Sequence, residues 1–230
     1  MMYRTRMIII GIVVILFGAG AAQFIFPRPA KSPTLPASAG EQNASTTTAN
    51  ISATTAVNIS KKPTEHPLSL SEGDIVASWD FKGAYSDNSE LTAKAQSEIA
   101  RLSELLATAT SSAMILSVGV ANQYELLGDG KKQYEYLERA IQTNPENGLP
   151  WHNLGALMER LGAYKTARVA YEKSTLVQPE LKFYHYAYVE FLTSRMKEDT
   201  ATIEKALENA EKNIGKTPYL LELRTEWQKP

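Results

Sequence analysis

From residue 88 onward, apolar residues recur every three or four positions, which is the spacing of one face of an α-helix. The first stretch with this pattern contains Leu91, Ala95, Ile99, Leu102, Leu105, Leu106 and Ala109. The same spacing returns near the end of the chain, in Ile203, Ala206, Leu207, Ala210 and Ile214. The pattern predicts an all-α domain over residues 88–230, long enough to bury one helical core.

Within this domain, residues 114–147 and 148–181 form two consecutive blocks of equal length and similar pattern. Aligned without a gap, they share Glu125/Glu159, Leu127/Leu161, Gly128/Gly162, Lys131/Lys165, Glu138/Glu172, Pro145/Pro179 and Glu146/Glu180. A fixed period of this length is typical of a helical array, in which one unit cannot bury its apolar face alone. Arrays of this kind usually hold another molecule.

The second block closely resembles a tetratricopeptide repeat (TPR). The characteristic places of that family are held by Trp151, Leu154, Gly155, Met158, Ala167, Tyr171, Ser174 and Pro179. The first block holds Ser117, Val120, Ala121, Tyr124, Gln133, Leu137, Ala140 and Pro145 there, and so departs at the Trp and central Ala places. The resemblance implies two helices per repeat, with small residues where they approach closely. Gly128 and Gly162 would end the first helix of each pair, and the prolines would stop the second.

A third, divergent repeat is predicted over residues 182–216. Its first helix would pack through Tyr188, Val189 and Leu192, and its second through Ile203, Leu207 and Ala210 after a short insertion in the turn. The stretch from Leu91 to Ala109 and the last segment, with Leu220, Leu221, Leu223 and Trp227, would cap the two ends. The predicted fold is therefore a short TPR-like helical solenoid with two clear repeats, a divergent third and flanking cap helices.

The amino terminus predicts a membrane anchor. Residues 7–26 carry no charge, and as a helix they would reach about 30 Å, the thickness of a bilayer's hydrocarbon core. Arg4 and Arg6 precede them, which favours a cytoplasmic tail over residues 1–6. The repeats would then lie outside the cytoplasm, in a periplasm or at the cell exterior, on a single-pass membrane protein.

A cleaved signal peptide is the alternative interpretation of the same segment. Residues 19–21 are small and could form a cleavage site, so the protein would be secreted if residues 1–21 were removed. Phe24, Ile25 and Phe26 carry the apolar run past that site and favour a retained anchor. Both interpretations place the repeats outside the cytoplasm.

Residues 27–70 are predicted to form a disordered spacer. Pro, Ser, Thr and Ala dominate this segment, so it can bury too little apolar surface to offset the entropy of folding. Asn43, Asn50 and Asn58 each fit the N-glycosylation pattern, which has meaning only in a host with that machinery.

Charge and motifs point away from nucleic acid and from catalysis. From residue 66 onward there are 18 Lys and Arg residues against 23 Asp and Glu residues, with no basic stripe. Residues 210–217 resemble a phosphate-binding loop but lack the strand that such a loop needs. Neither His152 nor His185 has a histidine four residues further on that would make a metal pair. We therefore predict no catalytic residue, no metal and no cofactor.

What remains is recognition of a protein or peptide. In the TPR family, the first helices of successive repeats line a concave groove, and that geometry selects Asn122, Glu125, His152, Asn153, Glu159, Tyr186 and Glu190. The resemblance implies that Asn122 and Asn153 hold a peptide backbone, although both could simply be solvated helix residues. The cations with which some family members grip a terminal carboxylate are absent, because Val118, Phe183 and Ala187 occupy those places.

Three functions are open at this point. The favoured one is a membrane-tethered TPR scaffold that binds a protein or peptide in an extracytoplasmic assembly. The alternative is a structural module of the cell envelope that associates with itself and forms a homo-oligomer. An enzyme with an unrecognised site ranks third, because the recurring chemistry of such repeats is packing.

Overall fold

The structure, a computed structural model, describes residues 68–229, and every regular element in that range is an α-helix. The helices are α1 (Ser89–Thr108), α2 (Ala113–Leu127), α3 (Gly130–Thr143), α4 (Gly148–Arg160), α5 (Tyr164–Val177), α6 (Lys182–Arg195), α7 (Thr200–Ile214) and α8 (Pro218–Trp227). The prediction of an all-α domain is therefore confirmed for this part of the chain. The predicted tail, the anchor at 7–26 and the spacer as far as residue 67 lie outside the described residues.

Each helix packs against its neighbour in the chain, from α1 against α2 to α7 against α8. Two further contacts join alternate helices, α4 with α6 and α6 with α8. Helices α4, α6 and α8 thus lie side by side, and α5 and α7 are the partner helices to which the chain returns. This order of contacts places one set of alternating helices along a common face.

Two glycines end the first helices of the pairs α2–α3 and α4–α5, as predicted. Gly128 has a φ of 84° and Gly162 a φ of 77°, in the left-handed region that glycine adopts without steric cost. Gly155 serves a different purpose, because a Cβ atom there would lie 2.8 Å from the ring of Tyr171. The absent side chain lets α4 approach α5 closely, in agreement with the small residue expected at this place.

The core runs continuously through the helix pairs. Its fully buried side chains include Leu137, Leu154, Leu157, Met158, Phe191, Leu192, Ile203 and Leu207. Trp151 is 7% exposed, and its indole N–H donates to the carbonyl oxygen of Pro145 at 2.8 Å. Because Pro145 follows α3 and Trp151 lies in α4, the bond joins the end of one helix pair to the start of the next.

A non-helical segment, residues 68–86, crosses the turns between the helices, and we call it the strap. The backbone N–H of Gly130 donates to the carbonyl oxygen of Trp79 at 2.9 Å, and that of Phe81 donates to Gly128 at 3.0 Å. Strap side chains pack on the helical core, among them Leu68, Leu70, Val76, Trp79 and Phe81. The predicted spacer must be corrected accordingly, because its last residues, 68–70, are held by apolar contacts with the helices.

The strap also supplies a helix cap. Helix α5 follows Ala163, whose side chain has no oxygen to accept the unpaired N–H groups of the first turn. Asp74 takes over this role, since its carboxylate accepts from the N–H of Thr166 at 2.7 Å and from that of Lys165 at 3.3 Å. The hydroxyl of Thr166 donates to the same carboxylate at 2.7 Å. The strap is therefore part of the folded domain.

Candidate partner-binding face

Six of the seven residues predicted for the groove lie on α2, α4 and α6 and face their counterparts on the next helix. We call this surface the candidate face; its residues are Asn122, Glu125, Asn153, Glu159, Tyr186 and Glu190. Each of them contacts a residue of a neighbouring helix, as the following distances show. The surface is therefore a row of polar contacts between neighbouring helices.

The centre of the candidate face is a pair of amides. The side-chain Nδ2 of Asn153, on α4, donates to Oδ1 of Asn122, on α2, at 3.1 Å. This bond uses neither the Nδ2 group of Asn122 nor the Oδ1 atom of Asn153, and neither of them has another hydrogen bond among the described residues. Asn122 is exposed to solvent. The pair therefore presents one donor and one acceptor side by side at the surface.

Two ion pairs continue the row. Glu125 on α2 accepts from the guanidinium of Arg160 on α4 at 3.1 Å, and Glu159 on α4 accepts from Arg195 on α6 at 2.9 Å. Both pairs are partly exposed, so each contributes at most about 1 kcal/mol to stability. Their main effect is to fix the orientation of the carboxylates across the face.

Burial shifts the pKa of two side chains in this row, Glu125 and Tyr171. It raises the pKa of the Glu125 carboxyl, and the nearby Arg160 guanidinium partly opposes that shift. Burial and the Glu159 carboxylate raise the pKa of Tyr171, whose hydroxyl donates to Glu159 at 3.1 Å. Tyr171 therefore remains neutral, and its hydroxyl stays available as the hydrogen-bond donor to Glu159.

The last helix completes the row with a residue that the sequence did not single out. Tyr219 of α8 donates its hydroxyl to Glu190 of α6 at 3.3 Å, and its ring meets that of Tyr186 edge-on at 5.0 Å between centroids. Tyr219 is 37% exposed. The sequence analysis did not select Tyr219 because it lies in a predicted capping segment, and the family geometry assigns groove positions only to repeat helices.

The seventh predicted residue, His152, lies apart from the other six. Its ring packs among those of Phe183, Tyr184 and Tyr171, with the Phe183 centroid 4.6 Å away. The Nδ1 atom is buried without a hydrogen-bond partner among the described residues. Burial lowers the pKa of His152 to about 4, so the ring is neutral near pH 7 and belongs to an aromatic cluster.

The other repeat histidine has a structural role. His185 is 3% exposed, and its Nε2 lies 2.8 Å from the carbonyl oxygen of Pro179. Trp151 makes the equivalent bond to Pro145, 34 residues earlier in both cases. Burial lowers the pKa of His185 despite that bond. His185 thus makes on α6 the contact that Trp151 makes on α4.

Within residues 68–229, no group of three or more His, Cys, Asp or Glu side chains is arranged to hold a metal ion. In the same range, no helix combines the length and the apolar character needed to cross a membrane. No protein-family model matches the chain, and a search of curated proteins finds no match either.

Proposed function

We propose that this protein is a membrane-tethered scaffold of the TPR type, which holds an extended segment of a protein partner on the candidate face outside the cytoplasm. The apolar segment at residues 7–26 supports the tether, and the repeated blocks support the array. The matched bonds from Trp151 to Pro145 and from His185 to Pro179 support extension of the period into a third unit. No catalytic residue, cofactor or nucleic-acid partner forms part of the proposal.

The observation that carries the proposal is the Asn122–Asn153 amide pair. Within residues 68–229, its hydrogen bond leaves one amide donor on α2 and one carbonyl acceptor on α4 without a partner. A peptide group presents the complementary N–H and C=O, and in an extended segment these have no partner within the segment itself. Two such bonds recognise backbone rather than side chains, which suits a surface that orders a stretch of partner chain.

The test uses full-length protein in mild detergent and a partner captured from the same membranes. Replacing both asparagines by Ala removes two hydrogen-bonding amides, each contributing about 0.5–1.5 kcal/mol net. The double variant should bind the partner about ten-fold more weakly or worse, since 1.4 kcal/mol corresponds to one decade in Kd. Its melting temperature should match the parent, because surface changes of this kind shift stability by no more than about 0.5 kcal/mol.

The control is Gln142→Ala. Gln142 is an exposed amide on α3, where it donates to Glu138 of its own helix. This variant should bind the partner like the parent. Unchanged affinity in the asparagine double variant would remove the binding site from the candidate face.

Self-association is the second candidate, because apolar side chains lie exposed at both ends of the stack. Leu105 of α1 is 45% exposed and Ile115 of α2 is 51% exposed, and at the other end Leu221 of α8 is 48% exposed. Sedimentation of the full-length protein in detergent separates the two functions. A monomer favours the scaffold, whereas a dimer that Leu221→Lys or Leu105→Lys dissociates would favour the self-associating module.

A further inference from the structure

A small cavity of about 60 Å³ lies between α5, α6 and α7 and shares no residue with the candidate face. Its polar lining includes Arg168, Glu172, Tyr188, Thr202, Lys205 and Asn209. A site for one water molecule needs about 10–15 Å³ on this measure. The cavity therefore has room for a group of several heavy atoms.

Two cations from different helices converge on this cavity. Arg168 comes from α5 and Lys205 from α7. Neither of them forms an ion pair with another residue in the range 68–229, in contrast to Arg160 and Arg195 on the candidate face. The Arg168 guanidinium lies near the Tyr188 hydroxyl, where it slightly opposes the increase in the pKa of Tyr188 that burial causes. Both cations are thus available to an anion from outside.

Neutral donors lie beside the cations. The hydroxyl of Thr202 and the amide of Asn209 line the same cavity from α7, on the helix face that also carries Lys205. Guanidinium, ammonium, hydroxyl and amide groups together match the acceptor oxygens of a carboxylate or phosphate group, and the charged donors make the stronger bonds.

The buried aromatic part of the lining carries no charge near pH 7. It includes His185 and Tyr188, both almost fully buried. Burial lowers the pKa of His185 and raises that of Tyr188, so both side chains are neutral at that pH. The carboxylate of Glu172 is the one negative group of the lining. Two cations against one carboxylate leave the lining with a net positive charge.

We propose that this cavity is a binding site for a single oxyanion group, a carboxylate or a phosphate, held between Arg168 and Lys205. Glu172 weakens the site and sets its affinity. The site lies on the partner helices α5 and α7, so it can be occupied together with the candidate face. It stands independently of the function proposed for that face.

Full-length protein in detergent is titrated at pH 7 with sodium acetate or with sodium phosphate, and chloride keeps the ionic strength constant. The readout is the chemical shift of the backbone amides of Thr202, Lys205 and Asn209. Both Arg168→Gln and Lys205→Gln should weaken binding about ten-fold, the effect of losing one charge-assisted contact. If only acetate saturates the site, its ligand is a carboxylate. If only phosphate does, the ligand is a phosphate group. If both do, the site recognises the oxyanion chemistry that they share.

Glu172→Gln is the decisive variant. It removes the one negative charge of the lining, so the oxyanion should bind about three-fold more tightly or better. A misfolded variant could not produce this gain. Lys173→Gln is the matched control, since Lys173 is an exposed cation of α5 outside the cavity lining. Saturation that is equal in all four variants and the parent, or a linear drift without saturation, would mean an adventitious ion only and would overturn the proposal.

Discussion

At the scale of single residues, the position of Trp151 shows how one helix pair is joined to the next by a hydrogen bond. Its indole N–H bonds to the carbonyl of Pro145, and the His185 ring bonds to Pro179 in the same way 34 residues later. Ser117 holds this place in the first unit, where it is fully buried and its hydroxyl donates to Ala113 at 2.8 Å. Three chemically different side chains thus serve one packing position.

Trp151→Ala should lower the free energy of unfolding by about 3–5 kcal/mol, because it empties a large buried site and leaves the Pro145 carbonyl without its donor. Chemical denaturation of the full-length protein measures the change. Trp227→Ala, on the partly exposed last helix, should cost distinctly less. If Trp151→Ala unfolds at the same denaturant concentration as the parent, the packing position described here is wrong.

The two left-handed glycines should differ in their tolerance of substitution. At Gly162 a Cβ atom would meet no atom within 4 Å, so Gly162→Ala should cost only the left-handed penalty of about 1–2 kcal/mol. At Gly128 the same atom would lie 2.0 Å from the carbonyl oxygen of Phe81. Gly128→Ala must therefore displace the strap as well, and thermal melting should rank it clearly below Gly162→Ala. Equal losses would contradict the strap contact.

At the scale of elements, the helices were predictable and the strap was not. The apolar spacing that defines a helix is local, so it indicated α1 and α7 directly. The 34-residue repeat and its resemblance to the TPR pattern indicated α2 to α5. The strap depends on partners more than ninety residues away, such as Thr166 for Asp74. Its own residues carry no periodic pattern, and Leu68 and Leu70 stand beside a Pro- and Ser-rich tract that indicates disorder.

Asp74 should be the main polar anchor of the strap. Asp74→Ala removes the cap of α5 and should cost about 0.5–2 kcal/mol. In combination with Thr166→Val, the losses should fall short of additivity by about 0.5 kcal/mol or more, because both variants break the same bond. Asp87→Ala, which removes only a surface ion pair with Lys82, serves as the control. Fully additive losses in denaturation would mean that Asp74 and Thr166 do not interact.

At the scale of the whole molecule, the sequence selected the residues of the candidate face but could not describe the contacts between them. Asn122 and Asn153 were both expected to line a groove, and their amides meet at 3.1 Å. The contacts themselves depend on side-chain geometry between helices, which the sequence does not contain. This holds for the bond between the two asparagines, for the pairing of Glu159 with Arg195 and for the contribution of Tyr219. His152 is adjacent to Asn153 in sequence, yet its ring turns to the aromatic cluster. One residue along a helix rotates a side chain by about 100°, which is enough to separate the two roles.

The proposed placement of the array outside the cytoplasm leads to the last prediction. Protease added to cells whose outer barrier has been opened should cut the predicted spacer, because unfolded chain is cleaved far faster than packed chain. The first stable fragment should begin shortly before Leu68, where the strap contacts start, and the anchor should stay in the membrane pellet. A cytoplasmic marker protein must remain uncut as the control. Full-length protein that survives this treatment would overturn the proposed topology, whereas an array already soluble before protease would show cleavage at residues 19–21.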